Sequence, residues 1–299
     1  MIFLNFILSL VLAPILPGLV NRVKAFFAGR RGQPVLQLYF DLGKLLRKNA
    51  VYSRTTTWVF KAGPIVSLAS FILILFFLPA WGIKSPAAFS GDFLLVIYLL
   101  ALARFFMVLA ALDTGSSFEG MGASREVQFA LFAEPVLFLG LAALAKSTGS
   151  FSLSGMYERL SWQSWLVFGP VLALVAVAFF VVFLAENCRL PVDDPNTHLE
   201  LTMIHEVMIL DHSGPDLAVI LYASALKFWM LAALVVGVVL PVRGGTWPCA
   251  AAFLGGMFLV ALVTGILESV LARLRLLKVP QMLIEAGAFA VLALILSLR

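Results

Sequence analysis

The sequence predicts an all-α, polytopic integral membrane protein with about eight transmembrane helices, both termini outside, and a long cytoplasmic loop between helices five and six. Three observations carry that reading. Of 299 residues, 62% are hydrophobic and only 12% charged, and the mean hydropathy is +1.03, far from the balance of a water-soluble domain. Apolar runs of about 18 residues or more recur, long enough to cross roughly 30 Å of hydrocarbon as helix. The runs are continuous rather than alternating, which excludes a β-barrel, the other architecture that satisfies every backbone group in lipid.

In chain order the spans cover about 2 to 22, 58 to 79, 93 to 112, 125 to 145, 165 to 185, 216 to 240, 248 to 267 and 281 to 298. The first run has no basic residue ahead of it and Arg22 and Lys24 behind it, the reverse of a cleavable signal peptide. An even number of spans leaves both ends on one side, and basic residues decide which. Arg30, Arg31, Lys44, Arg47, Lys48 and Arg54 lie between spans one and two, and Arg273, Arg275 and Lys278 between seven and eight. The opposite loops hold only scattered charges such as Lys84, Lys146, Arg159 and Arg243. The chain therefore reads as one transmembrane domain over 1–299, with cytoplasmic-face elements at about 24–57, 113–125, 186–215 and 268–280. The net charge of +5 serves orientation in lipid. No aromatic-interleaved basic patch appears, so nucleic acid is not an expected partner.

Between the first two spans, Gln33 to Asn49 places Val35, Leu38, Leu42, Leu45 and Leu46 at helical spacing with basic residues on the other side. That pattern predicts an interfacial helix lying on anionic lipid, with a partner-docking surface as the other reading. Span three is interrupted by Arg104, about 18 Å from Asp92 and about 14 Å from Asp113 along a helix. Lys227 stands at a comparable depth in span six, twelve residues past Pro215. A charge at that depth costs at least about 2.5 to 3.5 kcal/mol unless a partner or water meets it. Span four supplies anions: Arg125 and Glu126 at its cytoplasmic mouth, and Glu134 about 12 Å deeper. Pro135 follows directly and deprives the Leu131 carbonyl of its helical donor. Asp113 and Glu119 in the preceding loop, and Glu186 at the end of span five, extend the acidic series. Each such residue, taken alone, also fits a static ion pair that only holds helices together. Jointly, the carboxylates outnumber the two deep cations, and surplus carboxylates in low dielectric can exchange protons near neutral pH.

The stretch Glu186 to Pro215, ENCRLPVDDPNTHLELTMIHEVMILDHSGP, collects six of the chain's sixteen acidic residues, Arg189 and all three histidines. A plain connector needs far fewer residues. Pro191, Pro195 and Pro215 stop helix propagation, and Asp193 or Asn196 can cap a short helix over roughly Thr197 to Leu210 with Leu199, Met203, Val207 and Leu210 on one stripe. His198 and His205 are seven residues apart, but His205-Glu206 lacks the second histidine of a zinc-protease HExxH and no three-ligand set has metal-site spacing. Hydrogen-bonded surface or interface histidines are the expected reading, with a titrating role as the alternative. Cys188 and Cys249 should lie at opposite faces, and no CxxC accompanies them, so no iron–sulfur centre or structural zinc is expected in this chain. No Gly-x-Ser-x-Gly elbow or phosphate loop is present, which leaves a self-contained active site unsupported.

Several stretches together carry a family likeness: Arg30-Arg31-Gly32 followed by GKLLRK, the run YLLALARFFMVLAALDTGSSFEGMGASRE, then AEP, then ENCRLPVDDPNTHLELTMIHE…HSG, and finally ESVLARLR. In that order they resemble the membrane subunit of energy-converting membrane-bound NiFe hydrogenases and formate hydrogenlyase, itself similar to the H-type subunit (subunit 1) of respiratory complex I. The resemblance implies an eight-span subunit of a prokaryotic cytoplasmic membrane. It would anchor NiFe-hydrogenase-like large and small subunits and a ferredoxin-like Fe-S subunit to antiporter-like membrane subunits. The NiFe centre and Fe-S clusters would sit in those partners, with no cofactor in this chain. By position, Glu134 matches the acid of the fourth span. Glu186, Arg189, Pro191 and Asp193 match a Glu…Arg-x-Pro-x-Asp pattern, and Arg104 and Asp113 match the RFF…LDTGS segment. After Asp193 the complex I pattern Leu-Pro-Glu-Ala-Glu is replaced by Asp194-Pro195-Asn196-Thr197-His198-Leu199-Glu200.

The expected proton or ion pathway is Asp113, Glu119, Glu126, Glu134, Glu186, Glu200 and Glu206 with Arg104 and Lys227. The expected peripheral-arm interface is Arg125, Arg189, Pro191, Asp193, Asp194, His198, His205 and Asp211. Two other readings stay open: a quinone-site subunit of a complex I-type oxidoreductase, and a purely structural anchor.

Overall fold

In the computed structural model, residues 2–193, 204–242, 244, 246–272 and 274–298 are described. The chain opens with α1 (Ile2–Leu12) and α2 (Ile15–Phe27). The first span, expected over about 2 to 22, is this pair, which is bent by 41° at the join and reaches Phe27. Hydropathy runs unbroken through the join, but Pro14 has no N–H to give the Leu10 carbonyl four residues earlier. The Tyr222 hydroxyl donates to that carbonyl at 2.9 Å instead, and the Tyr39 hydroxyl donates to the neighbouring Val11 carbonyl. Two tyrosines thus replace the helical donors at the bend, as lipid-depth backbone requires.

The amphipathic segment forms α3 (Gln37–Leu45), shorter than the expected 33–49. Val35, Leu38, Leu42 and Leu45 are half-buried, and Leu46, expected on the same stripe, is exposed. Gly18 makes the docking close: a Cβ there would lie 2.0 Å from the Val35 carbonyl oxygen. The spans α4 (Trp58–Phe77) and α5 (Asp92–Asp113) pair along their lengths. Next comes α6 (Ser117–Thr148), which starts earlier than the expected 125. Asp113 is therefore the last residue of α5 and Glu119 lies in the first turn of α6, so neither belongs to a loop.

A short α7 (Leu153–Arg159) lies on the far face. Its N-terminus is held by Asp92, whose carboxylate accepts from Leu153 N–H at 2.6 Å and Ser152 Oγ at 2.8 Å. The remaining spans are α8 (Trp162–Glu186), α9 (Gly214–Val239), α10 (Trp247–Val270) and α11 (Val279–Ser297). Seven helices are long and apolar enough to cross a membrane, and the bent pair makes an eighth span. Among the described residues no β-strand forms, and the protein is a multi-pass membrane protein.

The bundle is organised on α9, in whose membrane window 72% of residues are buried, against 28–50% in the other single-helix spans. Ala218, Ala223, Ala225, Ala232 and Ala233 are buried along it; small side chains let neighbouring backbones approach where lipid gives no hydrophobic drive to association. Helices α4, α8 and α10 pack on it, while α11 rests on α6 and α8. Segments 28–57, 187–193, 204–213, 271–272 and 274–278 collect at one end of the bundle, here the basic face.

Candidate functional site

The expected helix over 197 to 210 is not what the described part of that stretch forms. A 3-10 turn, Glu206–Ile209, stands there; Val207 is buried, and Leu210 is 51% exposed rather than on a shared stripe. Asp194, Asn196, Thr197, His198, Leu199, Glu200 and Met203 lie outside the described residues. The two ends of the excursion are tied together by Asp193, whose carboxylate accepts from Ile204 N–H at 3.0 Å. The return strand of chain lies directly on α6 because Gly122 has no side chain: a Cβ there would be 3.0 Å from the Ile204 oxygen and from the Met208 side chain.

Under this cover, four spans deliver five charged side chains to one place. Arg104 of α5 donates from Nε to Glu126 Oε1 at 3.3 Å, from Nη2 to Glu186 Oε1 at 2.6 Å, and from Nη1 to Glu134. Lys227 of α9 approaches the second oxygen of Glu186 at 2.8 Å. The guanidinium fork offers five N–H donors in fixed directions, which lets one arginine serve three acids where a lysine would serve fewer. Three carboxylates meet two cations, so one negative charge is uncompensated within the cluster when every group is ionised. Four of the side chains are 7–13% exposed, whereas Glu134 is 34% exposed and opens the cluster toward the outer surface of the chain. A cavity of about 50 Å³ touches Arg104, Glu126, Glu186 and Lys227, room for a few water molecules among polar partners.

A second network stands at the basic end of α2 and α10. Glu268, with a fully buried side chain, pairs with Lys24 at 2.9 Å and Arg189 at 3.4 Å. Arg189 also lies over the Phe228 ring at 5.5 Å, and the Pro191 carbonyl accepts from Leu274 N–H at 2.9 Å. Between the two networks lies a chamber of about 520 Å³ bounded by the bent first span, α3, α9 and residues 187–193 and 205–212. Glu206, Arg189 and Asp193 line it, as does His212.

The remaining expected site residues stand apart from the cluster. Asp113 accepts from the Thr57 N–H at 2.6 Å and from its hydroxyl at 2.9 Å, fixing the start of α4. Glu119 is fully buried and accepts from Asp211 N–H at 2.9 Å, tying α6 to the 206–213 segment. Arg125 is half-buried one residue before Glu126, and the Asp211 side chain is exposed on the basic face. Sequence reasoning missed His212, buried and stacked on Phe60 at 3.9 Å; burial pushes its imidazole down to about 4. It also missed the Lys24–Glu268–Arg189 network, for which an acid and a base isolated at the same end of two apolar runs are the only signal. Among the described residues no group of three or more His, Cys, Asp or Glu side chains is arranged to hold a metal.

Residues 1–298 match the family described as NADH dehydrogenase. Formate hydrogenlyase subunit 4 of Escherichia coli (strain K12) is 34% identical over 296 residues, covering 95% of this chain and 93% of that protein. Hydrogenase-4 component C of the same organism is 35% identical over 237 residues, covering 79% and 73%. The H-type subunit of NADH-quinone oxidoreductase from Rubrobacter xylanophilus is 28% identical over 231 residues, covering 71% and 66%. A chain of membrane-bound sulfane sulfur reductase, an archaeal respiratory membrane complex, shares the fold at a TM-score of 0.83 and 22% identity, over 99% of both chains. With near-complete coverage and the same polytopic helical fold, the chain belongs to the NADH dehydrogenase family, alongside formate hydrogenlyase subunit 4 and the H-type subunit of NADH-quinone oxidoreductase.

Proposed function

We propose that this chain is the membrane-anchoring, ion-coupling subunit of a membrane-bound, formate-hydrogenlyase-like hydrogenase complex in a prokaryotic inner membrane. The observation that carries the reading is the five-charge cluster in which three carboxylates share two cations. Static pairing of helices is complete with one acid per base; the extra acid can bind and release a proton or exchange a cation without dismantling the bundle. In this reading the basic face, with Arg125, Arg189, Pro191, Asp193, Asp194, His198, His205 and Asp211, receives a peripheral arm. That arm consists of NiFe-hydrogenase-like large and small subunits and a ferredoxin-like subunit, which carry the NiFe centre and Fe-S clusters. Reduction there changes the field around Glu206 and Glu186, and the change passes through Glu126 and Glu134 to antiporter-like membrane subunits. The surface opening at Glu134 supports that exit, because a carboxylate facing lipid is costly unless a neighbour covers it.

Exchanging Glu134 for Gln keeps the shape and removes the titrating proton. Translocated ions per electron should fall at least about ten-fold while the complex still assembles, measured in sealed vesicles. Full translocation by the variant overturns the reading in favour of a structural anchor.

A second reading is supported by the 520 Å³ chamber and by the quinone oxidoreductase relative: residues 187–193 and 205–212 roof a quinone cavity between the first span and α9. Quinone co-purifying in stoichiometric amount, with activity blocked by quinone-site inhibitors, would favour it.

A further inference from the structure

The chamber and the charge cluster share a wall. Asn187, Cys188, His205, Ile220 and Ser224 border both cavities. The Asn187 amide is committed to the Phe183 carbonyl at 2.8 Å, Ile220 is apolar, and a serine hydroxyl does not ionise near neutral pH. Burial holds the Cys188 thiol well up, so it keeps its proton. Among the described residues of the wall, the imidazole of His205 is left as the group with both a donor and an acceptor nitrogen and so able to take up a proton on one side and release one on the other. Its backbone is fixed on both sides: its carbonyl accepts from Met208 N–H at 3.1 Å, and the preceding Ile204 N–H is held by Asp193.

We propose that His205 is the proton relay through this wall, carrying protons between the chamber and the carboxylates of Glu126 and Glu186. The proposal rests on the ion-coupling reading above. A proton arriving from the chamber bonds to the free ring nitrogen and makes an imidazolium. The N–H bond on the other nitrogen then breaks, and its proton forms an O–H bond on Glu126 or Glu186. The ring is left neutral as the opposite tautomer, and a ring turn or a second transfer resets it; no electrons change hands. Charged neighbours reach His205 from every span around the cluster: Glu126 from α6 and Glu186 from α8 favour the imidazolium, while Lys227 from α9 and Arg104 from α5 oppose it. Burial, the largest influence, favours the neutral ring, so the charged form is a passing state, as a relay requires.

The test uses the whole complex in sealed membrane vesicles, turning over its own electron-transfer reaction with a pH-sensitive dye enclosed. In His205→Gln, proton uptake per electron should fall at least about ten-fold. In His205→Gly, added imidazole should restore uptake, and replacing it with 4-methylimidazole should move the pH profile in step with the added base. A histidine that only supports the fold would not follow the basicity of an external base. Should His205→Gln accumulate poorly, the imidazole titration of His205→Gly decides: recovery supports the relay and no recovery overturns it. Glu134→Gln, run in parallel, separates the two claims. If it stops uptake while His205→Gln pumps at the wild-type ratio, the relay is overturned and ion coupling stands. If both pump fully, ion coupling fails and the relay with it.

Discussion

Glu186 and Glu268 are both buried carboxylates at the basic end of a span, and each reaches two cations. Lys24 and Arg189 close on Glu268, two cations on one acid. At Glu186, Arg104 is also claimed by Glu126 and Glu134. The first arrangement sets a cation on each oxygen of one acid, which is what a clamp between α2, α10 and the 187–193 segment needs. The second leaves an excess of negative charge beside a small polar cavity. The same residue types therefore build a fixed joint in one place and an exchangeable site in the other, and the ratio of acids to bases decides which.

The sharpest break of this comparison is Arg104→Ala. Three acids would lose their common cation, and loss of a buried partner costs about 3–5 kcal/mol; the thermal midpoint of the purified complex should fall, with Arg104→Lys recovering only part of it. Next, Glu268→Gln should lower the amount of assembled complex by leaving Lys24 and Arg189 facing each other. It should leave the ions moved per electron by the surviving complexes at the wild-type ratio. A fall in that ratio would show that the clamp also conducts.

A smaller effect comes from pH. His212 is held neutral, its value pushed down to about 4 by burial, below the usual imidazole value of about 6.5. The unfolded chain therefore takes up a proton that the folded chain refuses. Stability should be flat above about pH 6.5 and fall as pH drops toward 4. His212→Phe, which keeps the stack on Phe60, should flatten that part of the profile in thermal melts. The smallest effect is expected for Tyr222→Phe, which removes one hydrogen bond to the Leu10 carbonyl and should cost about 1 kcal/mol.

Much of the architecture could be read from the sequence because lipid imposes one rule on every span. Arg104, Lys227 and Glu134 announce themselves by depth alone, and the structure brings all three together with Glu126 and Glu186. The bend at Pro14 was illegible because hydropathy does not register a missing N–H whose replacement, Tyr222, comes from a distant helix. The early start of α6 was hidden by Gly120 and Gly122, which look like loop glycines but sit in a helix; Gly122 is there for the close approach of Ile204 and Met208. Helical periodicity in 197–210 suggested one element, whereas over 206–209 the chain tightens to a 3-10 turn. Glu268 pairs with Lys24, a residue on the far side of the sequence, and no local pattern encodes such a meeting.

An exchangeable proton in the Glu186 cluster is what separates a coupling subunit from an anchor. Infrared difference spectroscopy of the complex between its resting and reduced states, in H₂O and D₂O, reads carboxyl protonation directly. A deuterium-sensitive carboxyl band should appear in the wild type, vanish in Glu134→Gln and persist in Glu268→Gln. Its absence from the wild type, or its survival in Glu134→Gln, would contradict the coupling role.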